Sequence, residues 1–203
     1  MHRSVLGSLL LGEVLMMAAM VHAQQARPYV LPGATSADVA VTYNLERAKV
    51  AASNCGCFWM NGGGVEGALN FRHGLGAVAL LDADHASNIT PGVGLSKFTY
   101  VFGPRYTFSP MRRQQQRQTR LFGEALFGAA HGFSSSFPAP GGTASSANSF
   151  AMQLGGGVDV AVGRGFGVRA LEVDYVRTSL PNNASNSQND LRLAFGITYH
   201  VGK

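Results

Sequence analysis

Apolar and polar residues alternate with a period of two along most of the chain, in eight segments that follow one another between residues 38 and 202. That period puts successive side chains on opposite faces of a strand, so each segment carries one apolar face and one small or polar face. The first segment is Asp38 to Glu46, with Val39, Val41, Tyr43 and Leu45 aligned. The second is Val65 to His73, with Val65, Leu69 and Phe71. The third, Leu75 to Asp84, is weaker: Ala77, Ala79, Leu81 and Ala83 share a face, but Val78 and Leu80 oppose them. The fourth, Lys97 to Phe108, sets Phe98, Tyr100, Phe102, Tyr106 and Phe108 on one side. The fifth is Thr119 to Ala130, with Leu121, Ala125 and Phe127; the sixth is Phe150 to Val162, with Phe150, Met152, Leu154, Val158, Val160 and Val162. The seventh, Phe166 to Arg177, aligns Leu171, Val173 and Tyr175, while Phe166 and Val168 fall on the other parity, a break that predicts a bulge at Gly165 or Gly167. The eighth sets Leu191, Leu193, Phe195, Ile197, Tyr199 and Val201 against Arg192, Ala194, Gly196, Thr198 and His200.

The apolar residues alone define an outer parity, and the acids then test it. Asp38, Glu46, Glu66, Asp82, Asp84, Glu124, Asp159, Glu172, Asp174 and Asp190 all fall on the inner one. Arg72, Arg105, Arg120 and Arg192 are inward as well, whereas Arg169 and Arg177 are outward by parity, toward strand ends where long side chains reach headgroups. Apolar outside and charged inside inverts a soluble sandwich. Lipid demands that inversion, because hydrocarbon disfavours charge and leaves only a closed sheet to pair the backbone. The sequence therefore predicts an all-β fold: an eight-stranded antiparallel up-and-down transmembrane β-barrel.

The connections and the N-terminus agree with export. Connections after the first, third, fifth and seventh strands are long, at residues 47–64, 85–96, 131–149 and 178–189; the Ser/Ala/Gly-rich 134–149 and Asn/Ser-rich 179–189 stretches read as mobile exterior loops. Tight turns are predicted at His73-Gly74 and Gly163-Arg164-Gly165, and an intermediate connection at Ser109 to Gln118. Residues 1–23 read as a signal peptide: His2 and Arg3, an apolar run from Val5 to Met20, then Val21-His22-Ala23 before Gln24. An extended lead (24–37) and the barrel domain (38–203) complete the predicted organisation.

Composition strengthens this picture. Only 13% of residues are charged, about half the usual globular share, and many of the 26 glycines lie inside strand-like runs. Glycine weakens a soluble sheet but relieves crowding inside a narrow barrel. The net charge of +5 does not point to nucleic acid. Export separates the chain from it, and Arg112, Arg113, Arg117 and Arg120 sit in or beside one connection, as suits anionic lipid or lipopolysaccharide.

Three stretches carry a resemblance: Leu191-Arg192-Leu193-Ala194-Phe195-Gly196-Ile197-Thr198-Tyr199, Glu172-Val173-Asp174-Tyr175, and Gly155-Gly156-Gly157-Val158-Asp159. Over residues 38 to 202 the chain resembles the outer-membrane protein β-barrel domain family, the OmpA/OmpX-like small barrels of Gram-negative bacteria. The resemblance implies a lumen filled by polar side chains and insertion from the periplasm by the barrel-assembly machinery. It departs from the family at the end, Tyr199-His200-Val201-Gly202-Lys203, where such barrels often carry a terminal aromatic.

Candidate chemistry is sparse. Glu66, Glu124, Asp159, Glu172 and Asp174 with Arg72, Arg105, Arg120 and Arg192 form a predicted lumen charge network. Eight strands leave an interior just filled by side chains, so a closed salt-bridge plug is favoured over an ion path. Cys55 and Cys57 make a Cys-Gly-Cys in the first outer connection, read as a local disulfide or a bridge to a second chain rather than a metal site. Phe58-Trp59-Met60 reads as a girdle or loop-packing element. His85 and Ser87, with Asp84 or Glu124, have the residue types of a lipid A deacylase, but a nucleophile needs a base and an oriented third group in reach. The expectation is no catalytic residue, no cofactor and no metal. The function expected is structural or surface-interactive, with a small pore, an adhesin acting through the outer loops, and a lipid A-modifying enzyme as alternatives in that order. An extracellular ligand of the loops is left unspecified.

Overall fold

The computed structural model describes residues 34–49, 57–90, 93–108, 119–182 and 186–202. The expected signal peptide (1–23), most of the lead (24–37), Cys55 and the basic residues Arg112, Arg113 and Arg117 lie outside the described residues. The strands are β1 (Ser36–Lys49), β2 (Cys57–Asn70), β3 (Leu75–Thr90), β4 (Val93–Phe108), β5 (Thr119–Ala139), β6 (Gly142–Gly163), β7 (Phe166–Thr178) and β8 (Gln188–Gly202). They pair antiparallel in chain order, and β8 returns to β1 to close the barrel. Closure leaves no edge strand, so every ladder group has a neighbour.

The facing pattern is the one the alternation predicts. Val41, Phe102 and Ile197 are more than half exposed on the outer wall, with Tyr43, Leu81, Phe150, Leu171, Tyr175 and Phe195 beside them. So much contiguous exposed apolar surface suits a bilayer, not water. Inside, Ala68, Val78, Leu80, Val101, Leu126, Ala130 and Ala151 form an apolar cluster. This cluster explains the weak alternation of the third segment: Val78 and Leu80 are lumen residues packed against neighbours from β4 and β5.

Two tight turns close one end of the barrel. His73 and Gly74 have φ of 66° and 79°, and Arg164 and Gly165 have 35° and 88°. Consecutive left-handed residues match the right-handed twist of a hairpin. Gly74 is further constrained, because a Cβ there would lie 2.4 Å from the Thr107 carbonyl oxygen.

The opposite end departs from the expected loops. β2 begins at Cys57 rather than Val65, and its ladder with β1 runs on to Lys49↔Cys57. The β5–β6 ladder continues past Phe133 to Ala139↔Gly142, so most of the stretch read as a mobile loop is paired strand. Backbone pairing beyond the bilayer requires no apolar face, which is why the Ser- and Gly-rich composition concealed it. A membrane-spanning strand needs roughly 9–11 residues. β5 has 21 and β6 has 22, so this hairpin overhangs the others.

A bulge in β7 corrects two sequence readings. Val158 and Asp159 of β6 pair with Leu171 and Arg169, which leaves Ala170 as the extra residue. The inward parity therefore changes at Ala170, not at Gly165 or Gly167. Phe166 and Val168 before it, and Leu171 and Val173 after it, all face outward, while Arg169 turns inward and is 1% exposed. The second correction concerns Arg72. β2 ends at Asn70 and Arg72 opens a 3-10 turn, so its side chain is exposed and takes no part in the lumen.

Candidate functional site

The lumen is organised in layers. At the tight-turn end, Asp38 on β1 accepts hydrogen bonds from Arg120 Nη1 on β5 (3.0 Å) and Asn70 Nδ2 on β2 (2.6 Å), and sits 2.6 Å from His200 Nδ1 on β8. This group is only part-buried. Arg120 thus faces inward but caps the barrel instead of joining the central network.

The central layer is built around two guanidinium groups. Arg105 on β4 donates from Nη1 and Nη2 to the two oxygens of Glu66 (2.6 Å each) and from Nε to Glu124 (2.7 Å). Arg169 donates from Nη1 to Glu66 (2.8 Å) and Glu172 (2.5 Å), and from Nε to Asp159 (3.0 Å). Both lie against the ring of Phe122, at 4.1 and 4.5 Å from its centroid, so one aromatic face region serves two cations. Gly157 makes this possible. A Cβ there would stand 2.6 Å from the Leu171 carbonyl oxygen and 2.8 Å from the Phe122 ring.

One layer further, Arg192 on β8 donates from Nη1 to Glu172 (2.6 Å) and Asp174 (2.7 Å), and from Nη2 to Asn44 (3.0 Å) and Asp82 (3.2 Å). Gln153 donates to Asp174 at 2.9 Å. Glu66 is shared by Arg105 and Arg169, and Glu172 by Arg169 and Arg192. The result is one continuous run of charge-assisted bonds, Glu124–Arg105–Glu66–Arg169–Glu172–Arg192–Asp174, stitching β5, β4, β2, β7 and β8 across the interior. Such bonds are shorter and stronger than neutral ones. Glu66, Glu124 and Glu172 also approach within 4.8 Å of one another, an arrangement suited to a cation, which Arg105 and Arg169 supply.

Beyond Arg192 the chemistry changes. Lys97 on β4 is buried and ion-paired with Glu46 on β1, with Asp84 and Asp190 also buried on this side. Above them opens a cavity of about 270 Å³ whose lining includes Phe58, Met60, Leu95, Phe137 and Leu180.

Of the predicted network, the structure brings together Glu66, Arg105, Glu124, Asp159, Glu172, Asp174 and Arg192. It sets Arg120 apart and removes Arg72. Sequence reasoning missed Arg169, because the bulge lies after it and not before it, and Phe122, an aromatic on the inner parity of the fifth strand. Lys97 carried a usable signal: it precedes Phe98 on a strand whose even positions face lipid. Cys57 is exposed at the first residue of β2, and the Phe58-Trp59-Met60 run divides, with Trp59 outward, Met60 buried and Phe58 on the cavity. His85 faces outward, and its Nδ1 lies 3.0 Å from Ser96 Oγ. Asp84 and Glu124 point into the lumen, on the other side of the wall.

Neither a protein-family model nor a curated protein matches the sequence. Solved structures do share the architecture. Ail, the attachment invasion locus protein of Yersinia pestis, is 14% identical with a TM-score of 0.53, the match covering 82% of this chain and 99% of that one. The same protein in complex with the heparin analogue sucrose octasulfate gives 15% identity and a TM-score of 0.52, over 81% and 97%. Neisserial surface protein A is 13% identical with a TM-score of 0.58, over 80% and 96%. The chain has the fold of the small eight-stranded outer-membrane β-barrels, the OmpA/OmpX-like type.

Proposed function

We propose that this protein is an integral component of a Gram-negative outer membrane, acting as a surface-interaction and envelope protein through its overhanging hairpins. In this reading the N-terminal 23 residues direct export and are cleaved, and the barrel-assembly machinery inserts the barrel among lipid and lipopolysaccharide. The β1–β2, β3–β4, β5–β6 and β7–β8 connections face the exterior, and the tight turns face the periplasm. The observation that carries the proposal is the inverted facing pattern, aromatic and aliphatic outside with a bonded charge layer across the interior. The lumen acts as a plug, because Arg105, Arg169 and Arg192 are each held by at least two carboxylates. No catalytic step is assigned: His85 reaches Ser96 rather than Ser87, and the acids weighed with it, Asp84 and Glu124, point into the lumen on the other side of the wall. Likeness to Ail, a protein solved in complex with a heparin analogue, supports a ligand-binding role in this reading.

The test is fractionation of a Gram-negative host expressing the full chain, with boiled and unboiled samples compared by gel mobility. Recovery in the outer membrane with a heat-modifiable band is the expected result. A soluble periplasmic product of unchanged mobility overturns the proposal. Planar-bilayer recordings of the purified barrel address the plug, and large, reproducible single-channel conductance rules it out.

A further inference from the structure

On the outer wall, toward the end with the long hairpins, two neighbouring rows of side chains run across β3 to β6. His85, Ser96 and Phe133 are partners in one row, and Phe98, His131 and Asn148 in the other. They border a groove of about 620 Å³, a size usual for small-molecule sites. Along β4 the groove gives way to Tyr100 and Phe102, exposed on the apolar wall. Asp84 and Lys97 also border it, but their side chains are buried on the lumen side. Among the described residues, then, no exposed charge lines this face. Across the barrel at the same end, β1 and β7 carry exposed Arg47, Lys49 and Arg177.

Interfacial aromatic residues are routine on such a wall and account for Phe98, Tyr100 and Phe133. They do not account for the paired polar groups. His131 Nδ1 lies 2.7 Å from Asn148 Oδ1. That oxygen only accepts, so Nδ1 donates, and the neutral ring keeps Nε2 as an acceptor beside the N–H donors of the Asn148 amide. His85 Nδ1 lies 3.0 Å from Ser96 Oγ, and whichever of the two donates, one donor and one acceptor remain. Neither pair has a further hydrogen-bond partner among the described residues. Each pair therefore offers a donor and an acceptor side by side. An anion calls for donors and a cation for acceptors, whereas a hydroxyl calls for both. Beside the pairs stand two rings, Phe98 at 39% and Phe133 at 40% exposure, the second stacked on His131 with centroids 5.7 Å apart. A pyranose has the matching complement: a rim of hydroxyls, and a face of C–H groups that suits the electron-rich face of an aromatic ring.

We propose that this groove holds the uncharged sugar head of a glycolipid in the exterior leaflet. The pyranose lies on Phe98, its hydroxyls reach the two polar pairs, and its chains run down the wall past Tyr100 and Phe102. The source is a lipid because the groove opens sideways from the outer wall, directly above apolar strand, and not into the lumen. The proposal rests on the outer-membrane reading, which supplies the leaflet.

The experiment uses the barrel purified from the full chain, in nanodiscs of phosphatidylcholine carrying increasing fractions of glucosyl or galactosyl diacylglycerol. Diacylglycerol of the same chains is the control, and histidine side-chain NMR signals, assigned with His85→Gln and His131→Gln, are followed at constant pH. The expected result is a saturable shift of His85 and His131 with at least one of the two sugar lipids and none with diacylglycerol, while His73 and His200 at the other end stay put. Phe98→Leu removes the platform and weakens the apparent affinity about tenfold, with the band still heat-modifiable. Equal shifts with diacylglycerol, no saturable shift with either sugar lipid, or indifference to Phe98→Leu overturns the proposal. Methyl glucoside or methyl galactoside in solution, binding as tightly as its lipid, overturns the lipid source. If Phe98→Leu fails to fold, Asn148→Ala decides, since β6 at Asn148 has passed the end of its ladder with β7. Unchanged affinity in that variant overturns the proposal and weakened affinity supports it. A failure of outer-membrane targeting appears in the fractionation and leaves these titrations readable.

Discussion

The middle of the lumen and its hairpin-end mouth are both lined by buried side chains, yet they solve opposite problems. In the middle, three guanidinium groups share Glu66 and Glu172, and each carboxylate that links them is itself linked. At the mouth, one lysine serves a wider acidic floor, and the walls above are apolar and converge without meeting. Among the described residues, nine buried acids stand against four buried cations. The middle meets its share of this excess with several donors on the linking acids Glu66 and Glu172, whereas at the mouth Lys97 alone is buried among Glu46, Asp84 and Asp190. A dense network fixes the barrel's cross-section, and a sparser one beneath apolar walls leaves an open cavity. Strands β1, β4 and β8 supply buried charge to both, whereas Leu180, in the connection between β7 and β8, adds an apolar wall at the mouth alone.

The largest effect is expected where the network is most shared. Arg169→Leu strips donors from Glu66, Glu172 and Asp159 at once, and breaking a buried pair typically costs about 3–5 kcal/mol. Denaturant unfolding in lipid vesicles should show a loss of at least that order, or no folded, heat-modifiable species at all. Arg72→Leu removes an equal charge from the exposed turn and should shift stability by no more than about 0.5 kcal/mol. Equal losses from the two arginines would break the comparison at its base.

Next in size is the apolar side of the same middle layers. Leu126 has no exposed surface and packs in the cluster with Val78, Leu80 and Val101. Leu126→Ala should cost about 2–5 kcal/mol through lost burial and the residual cavity. Gly157→Ala acts in reverse, driving a methyl group into the Phe122 ring that backs Arg105 and Arg169. Overpacking of this kind costs about 1–3 kcal/mol, and Phe122→Leu in the same chain should recover part of it. Failure of that rescue in the same unfolding assay would place the cost on the Leu171 carbonyl oxygen, 2.6 Å from the same Cβ, rather than on the cation–aromatic stack.

These residues also mark how far the sequence could be read. Strand number, order, facing and the two tight turns were legible, because lipid enforces alternation and left-handed turn residues announce themselves. Asp159, Glu172 and Arg192 were legible as lumen residues for the same reason. What failed was local and non-periodic. The parity break at Phe166 and Val168 announced a bulge, but Gly165 and Gly167 drew its expected place to the wrong side of Arg169, and Ala170, where it lies, has no glycine or proline to mark it. The length of β2 pushed Arg72 into a turn, because ladders stop where the turn fits, not where alternation fades. At the mouth Glu46, Asp84 and Asp190 were legible as inward residues, but the walls were not, since Phe137 and Leu180 lie in stretches whose composition reads as loop. Their burial comes from Gln188 clamping a backbone and a ladder irregularity turning a ring, neither of which has a period to detect.

The smallest expected effect sharpens the comparison most. Leu180 and Leu126 are the same residue type with similar burial, so truncating each to alanine removes the same atoms. Leu126 is enclosed by lumen neighbours on every side, whereas Leu180 has an open cavity on one face and is held in place by its backbone, which alanine keeps. Leu180→Ala should therefore cost less than about 1 kcal/mol, near the range of substitutions that disturb no packed core, against the several expected for Leu126. Unfolding midpoints of the two variants in identical vesicles measure the gap directly. A cost for Leu180→Ala as large as that for Leu126→Ala would mean that the mouth is packed core, holding the barrel together like the layers below it. A small cost means that Leu180 at the mouth adds little to holding the barrel together, and that stability resides in the layers below it.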